Sequence, residues 1–271
     1  MNKIRKAVVA GYFYPSNPQK LSDEIEVLLS MSNPEINLQK IKGIISPHAG
    51  YIYSGRTAAF AYKLLSGKPV ERVIIISPSH REYFPGICIY DGDGYETPLG
   101  IVEIDNELTD NIVNEQRIIY RGIEGHREEH AIEVQIPFLQ KVLSEFKLIP
   151  IVMGDQGKLF IDELANRIHK VADEKTLIVA SSDLSHYYSK QEADQLDSVI
   201  ENDINEFDYE KLQQDLDYKN CEACGGGPIV AMMKAASLMN KKNAKVLNRS
   251  NSGDTTGDYS GVVGYLSAAV Y

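Results

Sequence analysis

The sequence predicts an α/β domain whose central sheet, mostly parallel or mixed, is flanked by helices. Short apolar strand patterns alternate with helical patterns of about 10 to 15 residues, which is typical of parallel pairing. Several strand patterns are apolar without interruption, as in "VIIIS" at residues 73–77, and this indicates strands that are buried on both faces. No linker, low-complexity tract or repeat divides the chain, so we predict a single domain over residues 1–271.

The individual elements follow from local patterns. Leu21, Ile25 and Leu28 recur with the period of a helix, and "DGDG" at residues 91–94 predicts a turn within a β-rich insertion. Pro228 follows three glycines and predicts the start of a helix. The predicted strands are 7–11, 41–45, 73–76, 86–90, 100–104, 147–152, 176–180 and 261–271. The predicted helices are 21–29, 55–65, 108–113, 131–143, 159–171, two acidic stretches within 190–216, and one from 228.

Charge and cysteine content limit the partners and the compartment. The chain has 38 acidic and 28 basic residues, a formal net charge of −10, and no Lys/Arg cluster. We therefore expect no nucleic-acid partner. No apolar stretch reaches about 18 residues, so we expect no membrane span. Three cysteines are too few for a disulfide framework, and we expect a cytoplasmic protein.

Three predicted strands run into a serine and then a histidine. The stretches "IISPH", "IIISPSH" and "LIVASSDLSH" end at His48, His80 and His186. Ligands of open parallel sheets bind beyond the carboxyl ends of the strands, so we expect the three imidazoles to project over one edge. Imidazole is the commonest metal ligand near neutral pH and the usual general base. Asp183, three residues before His186, is expected to orient an imidazole.

Cys221 and Cys224 form a C-x-x-C pair. This spacing fits a redox pair, half of a zinc site, or two buried reduced thiols, and the lack of a second C-x-x-C excludes a Cys₄ zinc site. Cys224 precedes "GGGP" at the predicted start of a helix. That setting is expected to lower the pKa of the thiol and to favour the thiolate, the form that binds metals.

Three other patterns indicate other chemistry only weakly. "HREEH" at residues 126–130 matches the inverted zincin motif, but Gly122 and Gly125 predict that the helix starts near Glu128, so that half of the motif lies in a loop. No G-x-S-x-G sequence supports a serine hydrolase. "GDTTGDYSG" at residues 253–261 lacks the lysine of a phosphate-binding loop.

Eight motifs together resemble the Memo family, also labelled component B of the AmmeMemoRadiSam system. They occur in family order over nearly the whole chain, and the set is specific although each motif alone is weak. The motifs are "AGYFYP", "SPHAGYIYSG", "ISPSH", "EEHAIEVQIPFL", "PIVMGD", "SSDLSHY", "CGGGPI" and "GDYSGVVGY".

The resemblance implies a fold similar to that of the class III extradiol ring-cleaving dioxygenases. In those enzymes two histidines and a glutamate hold Fe(II), and another histidine acts as acid/base. Carried onto the matching motifs, the metal ligands are His48 of "SPHAG", His80 of "SPSH" and Cys224 of "CGGGP", and the acid/base is His186 of "SSDLSH". Cys224 stands where the dioxygenases have a carboxylate, which puts ordinary extradiol cleavage in doubt.

The resemblance also implies a pocket and a cofactor. Phe13 and Tyr53 match aromatic positions that flank the family's cleft, and His130 is expected to line the same pocket. The cofactor is expected to be one redox-active metal ion, iron or copper. A thiolate makes the ligand set softer and shifts its preference towards copper or zinc.

Three functions remain open on this basis. The first, favoured by a spare histidine beside three ligands, is a metal-dependent oxidoreductase acting on a small aromatic or oxygen-rich molecule. The second is a binding or scaffold protein that uses the cleft for a phenolic ligand or a phosphotyrosine-type peptide. The third, implied only by the family's system name, is an accessory factor to a radical-SAM enzyme.

Overall fold

The computed structural model describes residues 3–36, 38–114 and 118–271. The strands are β1 Ile4–Arg5, β2 Gly43–Ser46, β3 Arg72–Pro78, β4 Ile87–Tyr90, β5 Gly94–Thr97, β6 Gly100–Glu103, β7 Ile119–Gly122, β8 Lys147–Met153, β9 Thr176–Ser181, β10 His186–Tyr188, β11 Ala244–Asn251 and β12 Val262–Val270. The α-helices are α1 Pro18–Met31, α2 Arg56–Lys63, α3 Asn106–Ile112, α4 Ile136–Val142, α5 Lys158–Val171, α6 Lys190–Asn205, α7 Tyr209–Asp217, α8 Gly226–Leu238 and α9 Gly253–Thr256. A π-helical turn, Tyr51–Gly55, precedes α2, and a 3₁₀ turn, Glu133–Gln135, precedes α4.

A nine-stranded mixed sheet forms the centre of the fold. Its strand order is β10-β12-β2-β9-β3-β8-β4-β7, and β11 pairs with β12. The four strands β2, β9, β3 and β8 are parallel, whereas β12 is antiparallel to β2 and β4 is antiparallel to β8. The predicted α/β fold with a central sheet is therefore confirmed, and the sheet is mixed. A separate three-stranded sheet has the order β1-β5-β6.

Helices cover both faces of the large sheet. Along β3, Ile74 and Ile76 pack into the cluster formed with α5, α6 and α8, whereas Val73 and Ile75 pack into the cluster formed with α1, α2 and α4. Successive side chains of a strand point to opposite faces, so an uninterrupted apolar run is what a strand covered on both sides requires.

The N-terminal prediction was wrong. The first strand is Ile4–Arg5, in the small sheet, and residues 7–11 do not form a strand. Gly11 adopts φ +88° and its N–H donates to the carbonyl of Tyr14 at 2.7 Å, which reverses the chain. The N–H groups of Val8 and Val9 donate to Glu133 instead of to a neighbouring strand.

The helix start near Glu128 was also wrong. Turns continue to the 3₁₀ turn at Glu133, and α4 begins only at Ile136 with Pro137 in its first turn. Arg5 and Glu129 bond main-chain groups of this segment and hold it outside a helix. Besides β1, four of the described strands were not predicted: β5, β7, β10 and β11. Within the described residues, no helix has the length and apolar character needed to cross a membrane.

Candidate metal centre

The carboxyl ends of three neighbouring strands bring the predicted ligands together. His48 follows β2 and His80 follows β3, and both strands pair with β9. The two imidazole rings meet edge to face with centroids 5.0 Å apart. Cys224 enters from the turn before α8, and its Sγ lies 3.2 Å from Nε2 of His48. The ligand atoms of these three residues all lie within 4.8 Å of one another.

The hydrogen bonds of His48 determine its tautomer. Nδ1 of His48 lies 2.9 Å from Oγ of Ser181. That hydroxyl donates its own proton to the carbonyl of Ala131 at 2.7 Å, and it accepts from the amide of Gln135 at 2.8 Å. Ser181 must therefore accept from His48, so Nδ1 carries the proton and the lone pair of Nε2 faces Cys224. Sequence reasoning gave no role to Ser181.

Glu129 determines the tautomer of His80. Its carboxylate accepts from the main-chain N–H of His80 at 2.6 Å and from the ring Nδ1 at 2.9 Å. A carboxylate only accepts, so Nδ1 is protonated and Nε2 is left for a metal. Burial raises the pKa of Glu129, but the hydrogen bond and charge of His80 outweigh it and bring the value down to about 2. The sequence reasoning missed Glu129, although "EEHAIEVQ" contains it.

A Glu129→Gln variant tests this bond. The amide keeps one acceptor but turns its NH₂ towards an N–H group of His80 or Ala131, so at least one hydrogen bond is lost. We expect the affinity for a divalent metal to fall by about 10- to 100-fold, measured by competition with a chelator. The neighbouring exposed residue supplies the control, because Glu128→Gln should leave the affinity unchanged. Equal affinities in the two variants would contradict the assignment.

Cys224 is held by main-chain groups of the β9 end. Its Sγ accepts from the N–H of Asp183 at 3.2 Å, and its own N–H donates to the carbonyl of Asp183 at 3.2 Å. Burial and the carboxyl of Asp183 raise the pKa of the thiol, so the predicted lowering was wrong. The prediction considered only the helix N-terminus. A bound cation acts in the opposite direction and favours the thiolate.

Asp183 anchors the main chain beside His48. Its Oδ1 accepts from the N–H of His48 at 2.7 Å, and its Oδ2 lies 4.0 Å from Nε2 of that ring. The ring bond itself is made by Ser181. Burial raises the pKa of Asp183. When ionised, the carboxylate of Asp183 favours positive charge on a nearby imidazole, and it acts in this direction on the pKa of His130.

His186 stands apart from the other histidines. Its ring lies beside that of Tyr187, with the two centroids 5.8 Å apart. Its Nδ1 donates to the carbonyl of Leu184 at 2.7 Å, which leaves Nε2 as an acceptor. Its charge is close enough to lower the pKa of His48. Tyr187 adopts φ +67° at a bulge in the pairing of β10 with β12, and this bend redirects the chain after His186.

His130 completes a cluster of three imidazoles. Its ring stacks on His80 at 4.9 Å and meets His48 edge-on at 5.5 Å. Phe13 lies against its other side at 4.8 Å, and Oε1 of Glu129 is 3.4 Å from its Nδ1. Burial lowers the pKa of His130 to about 4 and that of His48 to about 3. Both rings are therefore neutral at pH 7.

The remaining predicted residue lies further out. Tyr53 belongs to the π-helical turn after "PHAG" and is 41% exposed. The side chain of His80 is 27% exposed, whereas that of His48 is only 2% exposed. Solvent therefore reaches the three candidate ligands from the side of His80. π-Helical turns are frequent at functional sites, and this one holds Tyr53 near the surface.

Two other patterns have structural roles. His126 is buried and its nitrogens bond Tyr95 Oη at 2.6 Å and the carbonyl of Cys88 at 3.1 Å, so the "HREEH" pattern does not assemble as a pair of ligands. Cys221 is 3% exposed and packs in the apolar core, and all three cysteines are free thiols.

The fold and this group define an α/β protein with a candidate His₂Cys metal centre at the carboxyl ends of parallel strands. The profile of the Memo-like protein family matches residues 5–269. The chain belongs to this family, and the predicted membership is confirmed.

Relatives are similar over nearly the whole chain. A MEMO1 family protein of Methanocaldococcus jannaschii is 39% identical, with 100% of both chains covered. One from Nitrosopumilus maritimus is 38% identical over 97% of this chain and 98% of its own. One from Thermoplasma volcanium is 38% identical over 97% of each chain.

Proposed function

We propose that the protein is a metal-dependent oxidoreductase with a dioxygenase-like centre. His48, His80 and Cys224 hold one redox-active ion, iron or copper, and the substrate is a small aromatic or other oxygen-rich molecule. The observation that carries the proposal is that the ligand atoms of these three residues lie within 4.8 Å of one another. Both imidazoles are held by a bond at Nδ1, which leaves Nε2 free for the ion.

The donor set fits such an ion. Two imidazoles and a thiolate are ligands of first-row transition metals, and the thiolate favours copper or zinc over iron. A bound redox metal supplies electron exchange with substrate or O₂. Glu129 and Ser181 fix the two imidazoles before any ion arrives, and such support is what metal sites use to hold ligand orientation.

Proton transfer is assigned to His186. Its Nδ1–H is bonded to Leu184, so a proton is taken up or released at Nε2. Asp183 lies within electrostatic range of this imidazole and of His48. In its ionised form, this carboxylate stabilises the imidazolium that forms when His186 accepts a proton.

The surroundings favour an uncharged substrate. Phe13 and His130 form an aromatic wall beside the ligand group, and both His130 and His48 are neutral at pH 7 because burial lowers their pKa values. The chain as a whole carries a net charge of −10. A phenol or a similar planar molecule suits this wall better than a phosphorylated tyrosine does.

Metal content tests the centre directly. Protein purified without added metal or chelator should contain close to one equivalent of iron or copper by elemental analysis. The ion should be lost from His80→Ala. Removing a direct ligand should lower the metal affinity more than removing a residue that supports a ligand, which costs roughly 10- to 100-fold. His169→Ala, at an exposed position in the last turn of α5, is the matched control and should keep the metal.

Oxygen uptake tests the reaction class. The protein is reconstituted under anaerobic conditions with Fe(II) or Cu(I) and then mixed with O₂ and a panel of phenols and catechols. Uptake that depends on the metal and falls in His186→Gln supports the oxidoreductase. Metal-independent binding of a phenol by calorimetry, without uptake, would instead favour a binding protein that uses the same cleft.

A further inference from the structure

The turn that carries Cys224 is held by a glutamine from another part of the chain. Gln156 lies in the loop between β8 and α5. Its Nε2 donates to the carbonyl of Cys224 at 2.8 Å, and its Oε1 accepts from the N–H of Gly227 at 2.8 Å. One side-chain amide therefore spans the turn from the cysteine to the first residues of α8.

The packing around this amide is close. A Cβ at Gly227 would lie 2.7 Å from the Cβ of Gln156, so a side chain at that position would displace the glutamine. On its other side, the turn is bonded to the β9 end, where the N–H of Gly225 donates to Oγ of Ser182 at 2.9 Å. The turn is thus held between Ser182 and Gln156.

A cavity of about 420 Å³ borders the turn on the side of Gln156. Its lining includes Gln156, Gln213, Cys221, Gly226 and Gly227. Where a turn packs against other atoms, many contacts restrain it; where it borders a cavity, those contacts are missing. On this side the position of the turn therefore depends strongly on the two hydrogen bonds of Gln156.

We propose that Gln156 is a positioning residue that holds the Cys224 turn so that Sγ faces His48 and His80. It does so through its bonds to the Cys224 carbonyl and the Gly227 N–H, without touching the ion itself. The inference rests on the proposed metal centre. Loss of both bonds lets the turn move into the cavity and takes the sulfur away from the two imidazoles.

Cobalt(II) is the probe for the test, because a thiolate bound to cobalt gives a charge-transfer band in the near ultraviolet. Gln156→Leu keeps a similar volume and removes both bonds. We expect its charge-transfer band to weaken and its Co²⁺ affinity to fall by about 10- to 100-fold, the size of effect seen for groups that support metal ligands. Gln156→Glu retains the acceptor for Gly227 and should lie between Gln156→Leu and wild type.

The control is Gln213→Leu, the same substitution at another glutamine that lines the cavity, which should keep the band and the affinity of wild type. Cys224→Ala gives the spectrum of a site without thiolate. A second measurement needs no metal. Cys221 also lines the cavity, so the variants are made in a Cys221→Ser background, in which Cys88 is buried and a thiol reagent on the folded protein reports Cys224. Its reaction should be faster in Gln156→Leu than in Gln213→Leu.

The outcomes separate the two proposals. If wild type shows the cobalt–thiolate band and Gln156→Leu matches it in band and affinity, the positioning role is overturned and the metal centre stands. If wild type itself gives no such band, the metal centre is overturned, and the role of Gln156 with it. If Gln156→Leu does not fold, the same comparison of band and affinity is made with Gln156→Glu.

Discussion

Replacement of Arg5 by alanine is expected to lower the free energy of unfolding by about 3–5 kcal/mol, the usual result of removing one partner from a buried ion pair. Arg5 is 6% exposed. Its guanidinium donates to Oε2 of Glu133 at 2.7 Å, to the carbonyl of His126 at 2.6 Å, and to the carbonyl of Glu129. Alanine would leave a carboxylate and two carbonyls without this donor.

Glu133 extends this network to the N-terminal turn. Its carboxylate also accepts from Tyr14 Oη at 2.6 Å and from the N–H of Val8 at 2.9 Å. The turn that bears Phe13 is therefore joined to the segment that bears His130. Loss of Arg5 should loosen both segments, and with them the aromatic wall of the candidate centre.

Urea unfolding measures the loss. Arg127→Ala is the matched control, because Arg127 also pairs with a glutamate, Glu82, but at the surface with side chains 47% and 30% exposed. Exposed ion pairs contribute little to stability. Arg5→Lys keeps the charge and loses the planar fork, so it should fall between Arg5→Ala and wild type. A loss in Arg5→Ala no greater than that in Arg127→Ala would contradict the role of the network.

Replacement of Cys224 by aspartate is expected to shift the metal preference of the centre from copper towards iron. Thiolate favours copper, whereas carboxylate favours harder ions such as Fe(II). We expect the ratio of Cu(I) to Fe(II) affinity to fall by about tenfold or more, equivalent to about 1.4 kcal/mol. The substitution replaces a single ligand atom, the Sγ that lies 3.2 Å from Nε2 of His48, with a carboxylate oxygen.

Anaerobic competition with chelators for each ion measures this ratio. Cys221→Ser is the control, since that thiol is 3% exposed in the core and is not among the candidate ligands. An equal fall for both ions in Cys224→Asp would mean that the sulfur does not set the preference. If the aspartate variant with Fe(II) also consumes O₂ with a catechol, the thiolate is what suppresses ring-cleaving chemistry in the native chain.

Pattern and chemistry along the chain were sufficient for several conclusions. The apolar runs before His48 and His80 predicted strands buried on both faces, because such strands have no polar side to show. The motifs predicted the family, and that membership is confirmed. The ligand role of His48, His80 and Cys224 remains a prediction, although their ligand atoms lie within 4.8 Å of one another.

Local patterns failed where partners distant in the chain determine the structure. Residues 7–11 look strand-like, but the carboxylate of Glu133 takes the N–H groups that a strand would use. The pKa of Cys224 was predicted from its place before a helix, whereas burial beside Asp183 decides its direction. Neither contact has a local sequence pattern that reveals it.

The sequence by itself determined which groups are available: two strand-end histidines, one cysteine before a glycine-rich turn, and a spare histidine. The tertiary structure alone decided how they are held. Ser181 and Glu129 select the tautomers of His48 and His80, and Gln156 spans the cysteine turn. These supporting residues lie 49 to 133 positions from the groups they bond. Because hydrogen bonds depend on distance and direction rather than on position in the chain, only the folded molecule identifies them.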